Sequence, residues 1–329
     1  TTTVGNAASS TMKVTYTQTT AVERTTKLNE LNVSYYLPNS VTRLTEEQAI
    51  AQGYTCVHTA SELHDALSTN VAKVMLMNDI NVGTWIGISS YSGEFDGNGY
   101  ALSNMTVTGT RYQGLFKTLS GTVKNLVVKD STSESTNDNS AIIAAFLESS
   151  GSVNNVAVVN SSVSGYYAGL IVGSSHGTIQ SVYAQGSATA NPPDSSRSAI
   201  AGGIVGQFVE GTLNNGTSDV NVIVNADGNL NYVTLAAGGT VGEYKGGVIS
   251  NIYAYGTASI NSSSGTGTVE HEGQGALVGV SNLHDNISLD SIHYDSANYS
   301  NVVGDGTGYT ASAVSGDAGL YSKNALLAV

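Results

Sequence analysis

Gly238-Gly-Thr-Val-Gly242, followed by Gly247-Val-Ile-Ser-Asn-Ile-Tyr-Ala-Tyr-Gly256, decides the fold, because the chain has already used the same pattern twice. Ala168-Gly-Leu-Ile-Val-Gly173 leads to Gly177-Thr-Ile-Gln-Ser-Val-Tyr-Ala-Gln-Gly186, and Gly202-Gly-Ile-Val-Gly206 leads to Gly211-Thr-Leu-Asn-Asn-Gly216. Each copy is a short apolar run closed by glycine, a polar turn, and a second run ending near another glycine. The closing glycines Gly173, Gly206, Gly242 and Gly279 lie 33, 36 and 37 residues apart. A period between about 20 and 50 residues marks a solenoid, whose units bury their apolar faces against their neighbours.

The second run can be followed further outward as apolar, any residue, Asn or Ser, apolar. It gives Leu102-Ser-Asn104-Met, Val123-Lys-Asn125-Leu, Val153-Asn-Asn155-Val, Ile179-Gln-Ser181-Val, Leu213-Asn-Asn215-Gly, Ile249-Ser-Asn251-Ile and Leu289-Asp-Ser291-Ile. This pattern predicts an all-β chain wound as a parallel β-helix. Alternate side chains would stack inward as aliphatic ladders. Asn104, Asn125, Asn155, Ser181, Asn215, Asn251 and Ser291 would form an inward polar ladder, each residue hydrogen-bonded to its equivalent one rung away. Glycines would sit at the corners. Propeller and sandwich are the alternative all-β architectures, and the aromatic signatures usual in a propeller are missing. Insertions such as Asn191-Pro-Pro-Asp-Ser-Ser-Arg197 read as loops from one face. Loops with scope for binding fall at 129–140, 187–200 and 261–274.

Upstream, residues 1–44 are Thr-rich and match no copy of the repeat. Met12-Lys-Val-Thr-Tyr16 and Leu31-Asn-Val-Ser-Tyr-Tyr-Leu37 alternate as strands do. They read as a capping or linking pair, or as a strand that pairs with another subunit or domain. Residues 45–72 read as a helical cap. Thr45-Glu-Glu-Gln-Ala-Ile-Ala-Gln52 is one short helix, and Thr59-Ala-Ser-Glu62 is a capping box ahead of Leu63-His-Asp-Ala-Leu67. The solenoid is expected over 73–299, with a C-terminal cap or tail at 300–329.

Charged residues make up 11% of the chain and the net charge is −13. That balance argues against nucleic acid and anionic membrane surfaces as partners. Cys56 is the only cysteine, so no internal disulfide is expected. No run reaches the roughly 18 apolar residues of a membrane helix, and membrane insertion is not expected. The chain starts at Thr1 without a signal peptide, which reads as a processed form or a piece of something longer.

The glycine-closed run with its Gly-Thr-Ile-x-Asn/Ser-Val-x-Ala-x-Gly partner resembles the GLUG repeat of bacterial and archaeal surface adhesins. The same repeat lies ahead of the protease domain in streptococcal immunoglobulin A peptidases. The best matches are Gly169–Gly186 and Gly239–Gly256, with Gly114-Leu-Phe116 and Gly121-Thr-Val-Lys-Asn-Leu126 as earlier copies. The resemblance covers about residues 57–295 and implies architecture more than activity. It departs from the pattern at Asn215-Gly-Thr217 and in the last copy, around Leu283–Tyr294. The peptidases' His-Glu-x-x-His signature is absent from the sequence.

The chemistry-bearing residues are dispersed. Cys56, His58 and His64 are close in sequence, but a buried thiol and a solvated histidine explain them without a metal. Glu270 and Glu272 flank His271, and Asp285, Asp290 and Asp295 follow; a glycan-cleaving β-helix would need such groups to converge in a groove. Asp96-Gly-Asn-Gly99 reads as a corner rather than a calcium loop. No cofactor is expected. Of seven Asn-x-Ser/Thr sequons, Asn32, Asn160, Asn261, Asn286 and Asn298 are the candidate glycosylation sites, while Asn104 and Asn215 fall on the polar ladder. Tyrosine occurs 18 times, as contact surface or as packing on the β-helix flank. The expectation is an extracellular, non-catalytic adhesin stalk or filament subunit at the cell surface. Its partners would be other copies of itself, neighbouring surface proteins, glycans or a host surface.

Overall fold

The computed structural model describes residues 33–192, 194–226, 230–262, 268–281, 287–305 and 309–316, with two short paired segments at 2–3 and 15–16. Asn32, Asp285 and Asn286 lie outside the described residues. The main body is a parallel β-helix with three faces. Among the described residues, one sheet has 15 strands, a second has 7 and a third has 4.

Two helices precede the coil. Helix α1 (Glu46–Ala51) and helix α2 (Ala60–Ser68) both start in complete capping boxes, Thr45 with Gln48 and Thr59 with Glu62. Helix α2 buries Leu63, Ala66 and Leu67, and these join the main core at its first rung. The cap is not separate from the coil. Thr55–Val57, between the helices, already pairs in parallel with Lys73–Leu76.

Register in the long sheet is regular. Phe95, Val123, Val153, Ile179, Leu213 and Ile249 lie side by side on successive strands and are all buried. Full burial of one such aliphatic side chain contributes about 1.5–3 kcal/mol, so the ladder is the main source of cohesion. Gly216 falls where the next inward column expects an apolar side chain. Val182 and Ile252 flank it in register, and the side-chain ends of Ile204 and Ile252 fill the gap.

The repeated glycines mark a corner where backbone meets backbone. The short third sheet (Tyr167–Gly169, Ala199–Gly202, Asn231–Gly238, Thr268–Gly275) bends abruptly into the second (Val172–Ser175, Val205–Phe208, Val241–Tyr244, Val278–Ser281). A Cβ on Gly202 would lie 1.9 Å from the Val205 carbonyl oxygen and 2.6 Å from the Gly242 nitrogen. A Cβ on Gly238 would lie 1.7 Å from the Val241 oxygen and 2.7 Å from the Gly279 nitrogen. No side chain fits there, which is the physical reason for Gly-Gly-x-Val-Gly.

One expected boundary moves, and three expected loops shorten. Val303–Asp305 extends the second sheet and Tyr309–Gly316 the long one, so the coil continues past residue 299. The expected loops are smaller than their sequence spans, because Thr132–Ser135, Thr178–Ala190 and Thr268–Gly275 are strands. The ends of the coil differ from its middle. Helix α2 covers the first rung. At the last rung of the third sheet the inward columns turn polar, with Glu272 beside Leu235 and Gln274 beside Ala237.

Candidate functional site

The polar ladder lies at a corner of the long sheet, not in the tube interior. Asn125, Asn155, Ser181, Asn215, Asn251 and Ser291 all have φ between 53° and 58°. This left-handed conformation is one that Asn tolerates better than most residues. Each sits between two in-register pairs, as Asn125 and Asn155 do between Lys124–Asn154 and Leu126–Val156. The bend takes the polar side chain out of the tube. Burial then depends on what lies outside: Asn155 and Ser181 are 5% and 3% exposed, while Asn215 and Asn251 are exposed. Asn155 Nδ2 donates to Asn125 Oδ1 at 2.9 Å and Asn215 Nδ2 to Ser181 Oγ at 3.0 Å.

Asn104 belongs to a different corner. Ser103 pairs with Lys129, which sets Asn104 beside Asp130; Asn104, Asp130 and Asn160 have φ of 54°, 52° and 48°. Both of these corners use a left-handed Asn, or Ser or Asp in its place, so a short local pattern cannot separate them. One rung before Asn125 the equivalent of its corner is the wider turn Asp96-Gly-Asn98-Gly99.

What covers the buried part of this rail is the N-terminal segment. After one 3₁₀ turn at Val33–Tyr36, residues 37–44 run across the outside of the long sheet as a strap. Leu37 packs with Ala101, Val127, Ala157, Val159 and Tyr183, joined by Tyr36 and Val41. Two asparagines clamp the strap's backbone. The Asn39 N–H donates to Asn155 Oδ1 at 2.8 Å, and Asn155 Nδ2 donates back to the Asn39 carbonyl at 3.1 Å. The Leu44 N–H donates to Asn98 Oδ1 at 2.8 Å, and Asn98 Nδ2 donates back to the Leu44 carbonyl at 3.1 Å. Arg43 adds a hydrogen bond to the Gly99 carbonyl (2.7 Å) and stacks over the Tyr100 ring. Residues 37–44 are therefore a strap on their own coil, while Thr2–Thr3 and Thr15–Tyr16 pair with each other.

The column under the strap continues past it and changes from apolar to mixed. Ala101, Val127, Ala157, Tyr183, Thr217, Tyr253 and His293 are neighbours in register. Tyr183 is buried, and its hydroxyl has no hydrogen-bond partner. Tyr253 is 38% exposed and stacks on His293 at 4.7 Å and on Tyr255 at 6.4 Å.

The other candidates separate. Glu270 and Glu272 are exposed, while His271 pairs with Asp305 at 3.1 Å. Asp295 accepts from the Ala297 N–H at 2.9 Å as a turn residue. The side chain of Asp290 is outside the described residues. His58 lies between Glu46 and Glu62 at 3.6 and 3.8 Å, Cys56 faces the Glu46 carbonyl, and His64 packs edge-on against Trp85. Among the described residues no three metal-ligating side chains converge. Asp96 Oδ1 accepts from the Asn98 N–H and from Asn125 Nδ2, so that carboxylate organises the strap corner. Asn160, Asn261 and Asn298 are exposed, and each donates its amide, to Asp130, Asn225 and the Tyr255 carbonyl respectively.

A second ladder went unread in the sequence. Asn191 Nδ2 donates to Ser164 Oγ (3.1 Å), Asn225 Nδ2 to Asn191 Oδ1 (2.9 Å) and Asn261 Nδ2 to Asn225 Oδ1 (3.1 Å). Spacings of 34 and 36 residues match the glycine period and were the available signal. A charged cluster at the cap was also missed: the Tyr54 hydroxyl donates to Glu94, and Lys124 Nζ lies 3.0 Å from Glu94 and 3.6 Å from Asp96. Among the described residues no helix is long and apolar enough to cross a membrane.

No family model matches the chain, and no curated protein matches it. Among solved structures it is similar to a Bacteroides ovatus protein named a "putative immunoglobulin A1 protease", at 18% identity and a TM-score of 0.60. The match covers 84% of this chain and 82% of that one. At that identity the likeness is one of fold, and the parallel β-helix is the architecture the two chains share.

Proposed function

We propose that this chain is a non-catalytic structural module of the cell exterior, a stiff rod serving as an adhesin stalk or as a subunit of a surface filament. The observation that carries the reading is the core. One apolar cluster runs from Val57 under the cap to Val302 in the last described rungs. Solenoid stability is a sum of such rung-to-rung terms, and the product is a rod with regular outer faces. A net charge of −13 with few charged groups and many hydroxyl and amide side chains suits a solvated, secreted surface. The GLUG-like repeat points the same way.

A glycan-binding or glycan-cleaving reading draws on one feature, a groove of about 420 Å³ at the polar last rung, lined by Glu272, Gln274, Asn298, Tyr299 and Asn301. The name of the Bacteroides neighbour adds immunoglobulin A1 as a protein to test. Electron microscopy of the chain isolated without refolding should show rods or filaments. Incubation with surface glycans and with immunoglobulin A1 should give no released product. Turnover that disappears in Glu272→Gln would replace the structural reading with an enzymatic one.

A further inference from the structure

The strap uses only part of the rail. Asn155 does two things there: it donates to Asn125 one rung back and clamps the Asn39 backbone from both sides. Asn215 makes the same backward bond, to Ser181, in the same left-handed conformation and the same register column. Asn251 follows one rung later. Both are exposed where Asn155 is buried. The column beside them holds Thr217, Tyr253 and His293, in register with the Ala157 and Tyr183 that the strap covers. The elements of an extended-peptide seat, exposed amide side chains beside a column that carries an aromatic ring, therefore continue past the end of the strap, although Asn251 donates to Asn214 Oδ1 at 2.9 Å and not to Asn215. Strands about 4.8 Å apart repeat that chemistry at the pitch of the coil.

We propose that this half of the rail, Asn215 and Asn251 with the Tyr253 column, seats an extended segment from a second copy of this chain, drawn from the residues ahead of that copy's strap. The proposal rests on the structural reading above and gives it a contact. Three observations select this occupant. The seat is continuous with an interface the chain already makes with its own residues 37–44. The single 3₁₀ turn at Val33–Tyr36 ends the extended path of a chain's own strap. And the described rungs resist end-to-end stacking, because helix α2 covers the first rung and Glu272 and Gln274 occupy inward columns of the last described rung of the third sheet. Burying an unpaired carboxylate there would be costly, so copies are left to join through their sides. Residues 1–32 supply matching sequence, with alternating Met12-Lys-Val-Thr-Tyr16 and apolar Leu28 and Leu31.

The test places a photo-crosslinking benzoylphenylalanine at position 253 of the full chain and maps the products by mass spectrometry. Crosslinks to residues 1–32 in species of two or more chains are the expected result. Asn215→Ala with Asn251→Ala should lower that yield about tenfold or more, the scale of losing a clamp's hydrogen bonds, and deletion of residues 1–32 should abolish it. Crosslinks to residues 1–32 within single chains would assign the seat to the chain's own tail and overturn the proposal. Crosslinks elsewhere, or none, would also overturn it. Those failures leave the non-catalytic reading standing, whereas substrate turnover would remove that reading without altering the crosslink.

Discussion

Asn155 and Asn39 hold each other by a reciprocal pair of hydrogen bonds, N–H to Oδ1 at 2.8 Å and Nδ2 to carbonyl at 3.1 Å. The primary amide of Asn155 thus presents one donor and one acceptor to a backbone, as a neighbouring strand would. It can do so because its own backbone is left-handed, with φ of 54°, which lifts the side chain out of the sheet. Asn98 repeats the arrangement with Leu44.

Replacing Asn155 should therefore loosen the strap in two separable steps. Asn155→Gly keeps the left-handed backbone and loses the clamp, at about 0.5–1.5 kcal/mol for each net hydrogen bond. Asn155→Ala keeps a Cβ in the left-handed region without the short polar side chain that lets Asn tolerate it, adding about 1–2 kcal/mol relative to the glycine variant. Tryptic cleavage after Arg43 reads strap release directly. The rate should rise from parent to glycine to alanine variant. Equal rates in all three would mean that Leu37 and Tyr36 hold the strap without the clamp.

The glycine corners predict a sharp contrast between two Gly→Ala changes. At Gly238 the new methyl would meet fixed backbone at 1.7 Å. No side chain can move aside, and a loss above about 4 kcal/mol, or failure to fold, is expected. At Gly216 it would meet the tips of Ile204 and Ile252 at 3.0 and 3.1 Å. Those ends can shift, and the gain from removing a strand-interior glycine, about 0.5–1 kcal/mol, offsets the crowding. Urea unfolding should find Gly216→Ala within about 1 kcal/mol of the parent. Equal destabilisation at both positions would refute the backbone-contact account of the repeat.

The coil was legible in the sequence because its strongest constraint, a corner without room for Cβ, writes glycine at four successive turns, Gly169, Gly202, Gly238 and Gly275. The inward aliphatic columns were legible for a similar reason, as each rung repeats them. The polar ladder was recognised but placed inside the tube, because sequence spacing gives a period and not a backbone angle. Its side chains face outward since the residue is left-handed. The strap was hidden for a different reason. Leu37, Asn39 and Leu44 occur once and find partners at positions 98–183, so no local pattern announces the contact. The same holds for Tyr54, Glu94 and Lys124, which come together from the cap and two rungs.

That last cluster should govern how the cap responds to pH. Burial pushes the Glu94 carboxyl up, but the Tyr54 hydroxyl and the Lys124 ammonium outweigh it, so the group sits below its usual range. Burial and the bond to Glu94 push the Tyr54 phenol up to about 12. A depressed carboxyl contributes stability that is present above its unfolded value, about 4.3, and is lost as pH falls through the folded value. A raised phenol contributes stability that is present below about 10 and is lost as pH rises toward 12. Tyr54→Phe removes the hydroxyl from both balances. The gap in melting temperature between parent and Tyr54→Phe should therefore be widest between about pH 5 and 10, narrowing on both sides. Lys124→Met should raise the Glu94 pKa and move the acid edge of the parent's stability plateau to higher pH. A gap that stays constant from pH 3 to 7 would mean that Tyr54 acts through packing alone and that the ionised state of Glu94 plays no part in holding the cap.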